Sequence, residues 1–309
     1  MSCECIWMDG ELVPHDQATV HFLSPTLHYG TGIFEGIRCY DTPKGPAVFR
    51  LREHLQRFLD SAKIAGILEL PYTLEDLLKA VHQTIRVNDL TECYIRPLIY
   101  MVGPLKLNID AWRPAVGIAV WEWAPFLGEE AKDAGVRMAV SSFTRHHPNV
   151  MMTKAKISGN YVNSTLAKTI AVRSGFDEAI MLDPDGYVAE CTGENLFLVR
   201  NGEIYTPPRT TVLEGITRDA VIALAQDLGI SVVEQPISRD QVYIADEVFV
   251  CGTATEVVHV HEIDYRVIGE GNKGPVTAAL QEAFFKAVHG EGARSYEWLE
   301  YVDETVYAV

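Results

Sequence analysis

The chain is short of positive charge. Its 309 residues include 26 Lys and Arg against 42 Asp and Glu, which gives a formal net charge of −16. A surface this acidic repels the phosphates of nucleic acids and of anionic membranes. The chain also has no apolar run near the roughly 20 residues that a membrane-spanning helix needs. The composition therefore predicts a protein without nucleic-acid or membrane partners.

Cysteine is scarce, and its spacing argues against zinc sites and disulfide frameworks. Of the six cysteines only Cys3 and Cys5 lie close together, so no second close pair completes a zinc-binding pattern. Scattered cysteines in a long chain are typical of a reducing compartment. The first residues, MSCECIWMDG, lack the basic start and long apolar stretch of a secretory signal. We therefore expect a cytoplasmic location.

Common nucleotide and hydrolase motifs are missing or misplaced. Neither a G-x-S-x-G elbow nor a P-loop occurs. GEGNKG, residues 269–274, has dinucleotide spacing, but the tail beyond the next helix has no strong strand to complete a βαβ unit. Pro275 instead favours a glycine turn that leads into a helix, so a nicotinamide-dependent oxidoreductase is the weaker alternative. His259 and His261 alternate along a strand without a third ligand nearby in the sequence, and we expect no metal site.

What the chain does contain is a mixture of hairpin and helix patterns. Asp9-Gly10 and Asn201-Gly202 separate alternating runs, as tight hairpin turns do. We expect one helix at 51–62 and a second after Thr73, with Asp76 in a capping box. Further helices are expected at 161–174, 216–228 and 275–289. Strands are expected at GTGIFEGIRCYDT, CYIRPLIYMV, AVGIAVWEW and VRMAVSSF. The sequence thus predicts a mixed α/β (α+β) protein. We place an N-terminal α/β domain at 1–124, a polar linker at 125–135 and a larger C-terminal α/β domain at 136–309.

Two lysines stand two positions apart in MMTKAKISGNY, residues 151–161. Lys154 and Lys156 lie in a weakly polar stretch with no acidic residue between Pro148 and Asn163. A lysine that loses solvation has a lowered pKa, and its neutral amine can act as a nucleophile. On a strand both side chains share one face, so periodicity does not choose between them.

Two further stretches have the features of anion-binding sites. LEGITRDAVIALA places Gly215, Ile216 and Thr217 at a helix start, where backbone N–H groups and the helix dipole attract phosphate. CGTATE, residues 251–256, ends an apolar strand with small and hydroxyl residues. An arginine such as Arg57 on the first amphipathic helix suits a phosphate group bound without a metal.

Two carboxylates complete the set of candidate residues. DGYVAECTGENLF places Glu190 and Glu194 among apolar residues after a hairpin. A buried carboxylate needs a cationic partner, and a protonated pyridine nitrogen is one. An amine nucleophile, a phosphate cradle and such a carboxylate are together what pyridoxal phosphate requires of a protein.

Seven motifs then occur in a known order: HYGTGIFEGIRCY, REHLQRFLDSAKI, YIRPL, KISGNY, GYVAECTGENLF, LEGITRDA and DEVFVCGTATE. In this the chain resembles the branched-chain amino-acid aminotransferases of class IV over nearly its whole length. FEGIR with YIRPL points to that branch rather than to D-amino-acid aminotransferase or aminodeoxychorismate lyase. The resemblance implies the fold-type-IV architecture, with a β-rich pseudo-barrel C-terminal domain that carries the cofactor lysine. It also implies pyridoxal 5'-phosphate as cofactor and a homodimer or a higher homo-oligomer such as a hexamer.

The resemblance assigns roles residue by residue. The family's Schiff-base lysine precedes Gly-Asn-Tyr by three residues, which selects Lys156 as the catalytic residue. Tyr161 resembles the partner of the cofactor's phenolic oxygen and Glu190 that of its pyridine nitrogen. The remaining implied cofactor-binding residues are Arg57, Leu213, Gly215, Ile216, Thr217 and Thr253. The implied substrate-binding residues are Tyr29, Phe34, Gly36, Tyr94, Arg96, Trp123, Thr253 and Ala254, with Tyr29 expected from the neighbouring subunit.

The implied reaction moves the amino group of L-leucine, L-isoleucine or L-valine to 2-oxoglutarate. GPLKLNID replaces a glycine-rich loop of many members, and Phe126 stands where many bacterial members have tyrosine. These departures leave D-amino-acid or amine transamination as alternatives within the family, and a catalytically silent binding protein as one outside it. We expect Arg96 to pair with the distal carboxylate of glutamate. For Arg96 and Tyr94 to serve one site, we also expect either that the strand bends near Pro97 or that Arg96 reaches round its edge.

Overall fold

The computed structural model describes residues 3–122, 127 and 130–302, and the chain forms two compact units. The first comprises residues 1–123, 155–159 and 286–309, and the second comprises residues 124–154 and 160–285. The domain division made from the sequence stays a prediction. The compact units depart from it because the segment with Lys156 and the C-terminal segment belong to the first unit.

The described strands occur in runs that helices separate. The strands are β1 (Cys5–Met8), β2 (Glu11–Pro14), β3 (Ile33–Phe34), β4 (Ile37–Tyr40), β5 (Ala47–Phe49), β6 (Cys93–Val102), β7 (Arg113–Trp121), β8 (Val136–Val140), β9 (Glu178–Leu182), β10 (Val188–Cys191), β11 (Asn195–Arg200), β12 (Glu203–Thr206), β13 (Val232–Glu234), β14 (Glu247–Gly252), β15 (Glu256–Ile263), β16 (Arg266–Val267) and β17 (Leu299–Tyr301). The helices are α1 (Pro25–Tyr29), α2 (Leu51–Ile64), α3 (Leu74–Val87), α4 (Ala131–Ala134), α5 (Tyr161–Arg173), α6 (Ile216–Asp227), α7 (Arg239–Tyr243), α8 (Pro275–Val288) and α9 (Ser295–Trp298).

Local sequence signals placed most of these elements correctly. The predicted helices are confirmed as α2, α3, α5, α6 and α8. Thr73 caps α3 in the predicted box, since its hydroxyl accepts from the Asp76 N–H while its own N–H donates to the Asp76 carboxylate at 2.9 Å. Asp9 and Gly10 take positive φ values of 49° and 98° between β1 and β2, as the predicted tight turn requires.

The glycine run 269–274 is a turn, as predicted. Gly269 and Gly271 have φ values of 54° and 76° between β16 and α8. The strand β16 pairs antiparallel with β15, so the run does not follow the parallel strand of a dinucleotide-binding unit.

The first unit is built on an antiparallel sheet with strand order β17-β5-β4-β6-β7-β1-β2, and β3 pairs with β6. The predicted continuous strand over residues 30–42 is wrong, because it is interrupted at Glu35 and Gly36 between β3 and β4. A core cluster joins the α2, α3 and β6 side chains and includes the fully buried Leu55, Phe58, Leu77, Val81 and Ile95. Burial of each such side chain contributes about 1.5–3 kcal/mol.

The second unit is built on a mixed sheet with strand order β10-β9-β8-β15-β14-β11-β12-β13. Its parallel pairs are β8 with β9, β8 with β15 and β12 with β13. Phe197 and Phe249 stand opposite each other on β11 and β14, and their rings stack at 4.9 Å. The mixed α/β class is thereby confirmed. Across the described ranges, no helix combines the length and the apolar character needed to cross a bilayer.

Candidate active site

Lys156 lies beside the end of β3 in the first unit. Its backbone N–H donates to Ser61 Oγ on α2 at 3.0 Å, and its carbonyl accepts from the Phe34 N–H at 3.1 Å. The Nζ atom lies 4.9 Å from the centroid of the Phe34 ring. The amine is therefore held over an aromatic face by backbone contacts on both sides.

Lys154 has a different environment, in the second unit. Its Nζ lies 3.0 Å from Glu214 Oε1 and donates to the carbonyls of Val212, at 3.3 Å, and Arg209. These contacts tie the ammonium group to the loop that precedes α6. The strand periodicity did not separate the two lysines, but their contacts do.

Arg57 shares a buried carboxylate with His54. Glu35 is fully buried and accepts from Arg57 Nε at 2.6 Å and Nη2 at 2.7 Å, one bond to each carboxylate oxygen. It also accepts from His54 Nδ1 at 2.9 Å. Sequence reasoning missed Glu35, although an acidic residue inside the apolar run IFEGI was a usable signal.

The charges of this cluster follow from burial and pairing. Burial alone would raise the pKa of Glu35, but Arg57 and His54 outweigh it and hold that pKa well below its usual range. Burial lowers the pKa of His54, although the hydrogen bond to Glu35 opposes that shift. Glu35 and Arg57 therefore form a buried ion pair to which His54 is hydrogen-bonded.

Tyr94 and Arg96 share one face of β6. Arg96 Nη2 donates to the Tyr94 hydroxyl at 3.4 Å. Its guanidinium carbon lies 4.9 Å from the Phe34 ring centroid and 6.0 Å from that of Trp121. The expected bend at Pro97 is wrong. Residues two apart on a strand already share a face, and β6 pairs with β7 in unbroken register from Tyr94 to Val102.

Gly36 provides the space that the Tyr94 side chain occupies. A Cβ atom added at Gly36 would lie 1.9 Å from the Tyr94 hydroxyl oxygen. No side chain is compatible with that distance unless Tyr94 moves. The predicted residues Phe34, Gly36, Tyr94, Arg96 and Lys156 therefore lie in one connected neighbourhood of the first unit.

The remaining first-unit candidates are not joined to that neighbourhood by the contacts described above. Tyr29 ends α1, is 38% exposed and stacks on Trp112 with the ring centroids 6.0 Å apart. Its expected place in a neighbouring subunit stays a prediction. Trp123 and Phe126 lie outside the described residues.

Glu190 is the centre of the second-unit candidates. Its Oε1 accepts from Arg145 Nε at 2.7 Å, and its Oε2 accepts from the Leu213 N–H at 3.1 Å and from Asn195 Nδ2 at 3.4 Å. Glu190 and Arg145 are 5% and 6% exposed. Arg145 Nη1 is buried and has no hydrogen-bond partner within the described part of the chain. Sequence reasoning missed Arg145.

The start of α6 lies next to this carboxylate. Gly215 is its N-cap residue, and a Cβ atom there would lie 2.0 Å from Asn195 Oδ1. Ile216 and Thr217 follow in the first turn and are 8% and 2% exposed. The first turn of a helix carries positive partial charge, so a buried start of this kind favours an anion.

Thr253 and Ala254 lie in the turn between β14 and β15. The next residue, Thr255, donates its hydroxyl to Glu194 Oε1 at 3.0 Å, and the Gly193 N–H donates to Glu194 Oε2 at 3.1 Å. Glu194 therefore supports this turn. Tyr161, the last second-unit candidate, is the first residue of α5 and is partly buried.

Glu194 has an unusual proton affinity. Burial, reinforced by the nearby Glu178 carboxylate, raises the pKa of Glu194 to about 8. Glu178 is fully buried and accepts from Lys168 Nζ at 2.6 Å and from Thr192 Oγ1 at 2.6 Å. The second unit thus buries one carboxylate paired with arginine and another that retains its proton at neutral pH.

His259 and His261 lie together on β15, with ring centroids 6.4 Å apart. No group of three or more His, Cys, Asp or Glu side chains suited to a metal ion occurs in the described residues.

All of the candidate residues except Tyr29 fall within a stretch that matches a known family. Residues 32–263 match the family described as Amino-transferase class IV, and the chain belongs to that family. The branched-chain-amino-acid aminotransferase of Pseudomonas aeruginosa is 48% identical over 294 residues, which are 95% of each chain. The resemblance found in the motifs is thereby confirmed.

Solved structures agree in fold over the same length. The crystal structure of the Escherichia coli branched-chain amino acid aminotransferase has a TM-score of 0.95 and 46% identity, and covers 98% of this chain and 100% of that chain. The branched-chain aminotransferase of the thermophilic archaeon Thermoproteus uzoniensis, solved with norvaline, has a TM-score of 0.92 and 44% identity, with the same coverage. A further branched-chain amino acid aminotransferase, complexed with N-(5'-phosphopyridoxyl)-L-glutamate, has a TM-score of 0.92 and 48% identity. The expected class IV fold is confirmed.

Proposed function

We propose that the chain is a pyridoxal-phosphate-dependent branched-chain-amino-acid aminotransferase. It takes the amino group of L-leucine, L-isoleucine or L-valine, releases the branched 2-oxo acid, and passes the group to 2-oxoglutarate to give L-glutamate. Relatives named for this activity, at 47–48% identity over 95–97% of the chain, support the reaction. The observation that carries the proposal is the Arg96 guanidinium among the Phe34, Tyr94 and Trp121 rings.

The residues present fit the cofactor. Glu190 is a buried carboxylate suited to a pyridinium nitrogen, and the buried start of α6 is suited to a phosphate. Arg145 Nη1 is buried in the same region and lacks a hydrogen-bond partner in the described ranges. A bound polar group would supply that partner. Lys156, Arg57, Tyr161, Leu213, Gly215, Ile216, Thr217 and Thr253 are the other residues that would hold the group. When bound, it supplies an electron-withdrawing ring that acidifies the substrate Cα–H bond.

The protein's own groups then carry the proton. With the cofactor bound, Lys156 Nζ would take the proton from the substrate Cα as a general base and deliver it as an acid to the cofactor carbon that receives the amino nitrogen. Its backbone contacts with Ser61 and Phe34 hold the amine in place. Glu190 would accept a hydrogen bond from the protonated ring nitrogen, and Arg145 orients the carboxylate through its bond to Oε1.

Substrate recognition needs both an apolar wall and a cation. Phe34 and Trp121, with Trp123, suit the aliphatic side chain of leucine. Arg96 pairs with the distal carboxylate of glutamate, which would be costly to bury without a partner. Tyr94 and the backbone of Thr253 and Ala254 bind the α-carboxylate, and Gly36 leaves room for the Tyr94 ring.

The proposal also covers the oligomeric state and the cellular location of the protein. The chain forms a homodimer, or a hexamer built from such dimers, in the cytoplasm. Tyr29, which is 38% exposed, completes the side-chain pocket of the neighbouring subunit. The N-terminal domain ends near residue 124, and the linker covers residues 125–135.

The deciding experiment is an amino-donor panel with the purified, cofactor-loaded protein and 2-oxoglutarate. L-leucine, L-isoleucine and L-valine should yield glutamate, and D-leucine and 1-phenylethylamine should not. Borohydride should bleach the visible absorbance of the protein. Turnover of D-leucine or the amine without L-leucine would replace the branched-chain assignment with one of the alternatives in the family. Absence of any turnover and of any visible band would remove the aminotransferase assignment.

A further inference from the structure

The interruption between β3 and β4 carries a buried carboxylate that the reaction itself does not use. Glu35 is 0% exposed and lies between the end of β3 at Phe34 and the start of β4 at Ile37. Burying an ionised carboxylate is costly unless it is paired and hydrogen-bonded. The free-energy cost of burying Glu35 indicates that its carboxylate has a role beyond packing.

We propose that Glu35 is the positioning residue for Arg57: its carboxylate fixes the guanidinium in the orientation that binds the phosphate group of the cofactor. The inference rests on the proposed function, because it concerns how the protein holds pyridoxal phosphate. Glu35 acts through Arg57 and does not contact the reacting atoms.

The geometry of the pair supports an orienting role. Arg57 Nε and Nη2 donate to the two oxygens of Glu35 at 2.6 Å and 2.7 Å. Two parallel bonds of this kind fix both the plane and the rotation of a guanidinium. They occupy the edge of the guanidinium formed by Nε and Nη2, so the edge with Nη1 is directed away from Glu35.

The carboxylate is itself held by a second set of contacts. His54 Nδ1 donates to Glu35 Oε2 at 2.9 Å, and the Gly36 N–H donates to the same oxygen at 3.3 Å. The Glu35 N–H donates to the Pro97 carbonyl on β6 at 3.0 Å. Glu35 is thus anchored to α2 and to β6, and a rigid carboxylate can transmit that rigidity to Arg57.

An ion pair at the start of the same helix has a more exposed carboxylate. Arg50 Nε lies 2.7 Å from Glu53 Oε1, with the side chains 13% and 42% exposed. Solvent screens a carboxylate that is exposed to this degree, so its pairing contributes less than that of the buried Glu35. Glu53 therefore provides a matched control for the loss of a glutamate beside an arginine.

The rival account makes Glu35 only a neutralising charge for Arg57. The two accounts predict effects of opposite sign. Removal of a purely neutralising charge would leave Arg57 with more positive potential and would strengthen binding of a dianionic phosphate. Loss of an orienting carboxylate would weaken phosphate binding, and so would shortening the side chain without loss of charge.

The test compares pyridoxal 5'-phosphate with pyridoxal, which lacks the phosphate, on full-length protein. Dissociation constants for both probes are measured for the wild type, Glu35→Gln, Glu35→Asp and the control Glu53→Gln, with folding checked by circular dichroism. The dissociation constant of pyridoxal divided by that of pyridoxal 5'-phosphate isolates the phosphate contribution. We expect that ratio to fall at least about tenfold in both Glu35 variants and to stay at the wild-type value in Glu53→Gln.

Each other outcome has a definite meaning. A larger ratio in Glu35→Gln, or an unchanged ratio in Glu35→Asp, overturns the positioning role. If neither Glu35 variant folds, Arg57→Lys decides, because it retains the charge and loses the planar fork; a wild-type ratio in that variant overturns the inference. A wild type that binds both probes equally would instead count against the proposed function.

Discussion

Arg145 Nε and Glu190 Oε1 lie 2.7 Å apart, and both side chains are 7% exposed. A buried carboxylate needs such a partner, and the Leu213 N–H donates to the second oxygen of Glu190 at 3.1 Å. The Glu190 carboxylate is therefore fixed in direction by two groups of this chain.

Glu190→Gln should retain the cofactor but slow transamination. Glutamine cannot stabilise a protonated ring nitrogen by charge, and a charge-assisted hydrogen bond is worth about 1.5–3 kcal/mol, so kcat should fall by about 10- to 100-fold. Single-turnover absorbance changes with leucine measure this. Glu203→Gln, an exposed carboxylate on β12, is the control. Unchanged half-reaction rates in Glu190→Gln would transfer the role to Glu194.

Lys156→Ala should abolish the borohydride-stable label, and Lys154→Ala should retain it. Lys154 is paired with Glu214 at 3.0 Å, with side chains 37% and 50% exposed, so its loss should cost at most about 1 kcal/mol of unfolding free energy. Mass spectrometry of the reduced proteins identifies the labelled residue. A label that survives in Lys156→Ala and is lost in Lys154→Ala would reverse the assignment.

Arg96→Met should separate the two substrates. The variant removes the guanidinium that lies 4.9 Å from the Phe34 ring but retains the length of the side chain. We expect kcat/KM for 2-oxoglutarate to fall by about 10- to 100-fold, and the leucine half-reaction to change much less. Steady-state and half-reaction kinetics provide both values. Equal losses would show that Arg96 supports the scaffold or the α-carboxylate.

The raised pKa of Glu194 predicts a pH-dependent stability. The folded protein retains this proton up to about pH 8, whereas the ordinary value is 4.5. Between these values the folded state binds the extra proton, so the free energy of unfolding falls as the pH rises. This contribution is fully present below pH 4.5 and is lost as the pH passes through about 8. Urea midpoints at pH 5 and pH 8 should therefore differ less in Glu194→Gln than in the wild type, and equal differences would contradict the raised pKa.

The sequence predicted the structural features that neighbouring residues form. It missed the side-chain pairs formed by residues that lie far apart in the chain. The Asp9-Gly10 turn and the Thr73–Asp76 capping box each form within a few residues, so the sequence alone identifies them. Arg145 and Glu190 are separated by 45 positions. The pairing of their side chains exists only once β10 and the segment before Lys154 are folded, and no local pattern encodes it.

The same limit explains why the sequence did not distinguish the two lysines and did not reveal the contacts of Glu35. Alternation placed Lys154 and Lys156 on one face, and only the tertiary contacts of Lys154 with Glu214 and the preceding carbonyls separate them. The continuous strand expected through Glu35 is interrupted because its carboxylate is buried against Arg57 and His54. A long-range ion pair therefore outweighed local β propensity.

The first unit is discontinuous in the chain, and this sets the order in which it can be completed during synthesis. Its sheet ends in β17, which pairs with β5, and the Arg50 N–H that precedes α2 donates to the Trp298 carbonyl at 2.6 Å. Both contacts need residues that the ribosome adds only after the second unit has been made. The strand β5 therefore remains an open edge while the second unit is made, and a nascent chain that stalls before residue 299 exposes a hydrogen-bonding edge to chaperones or to other copies.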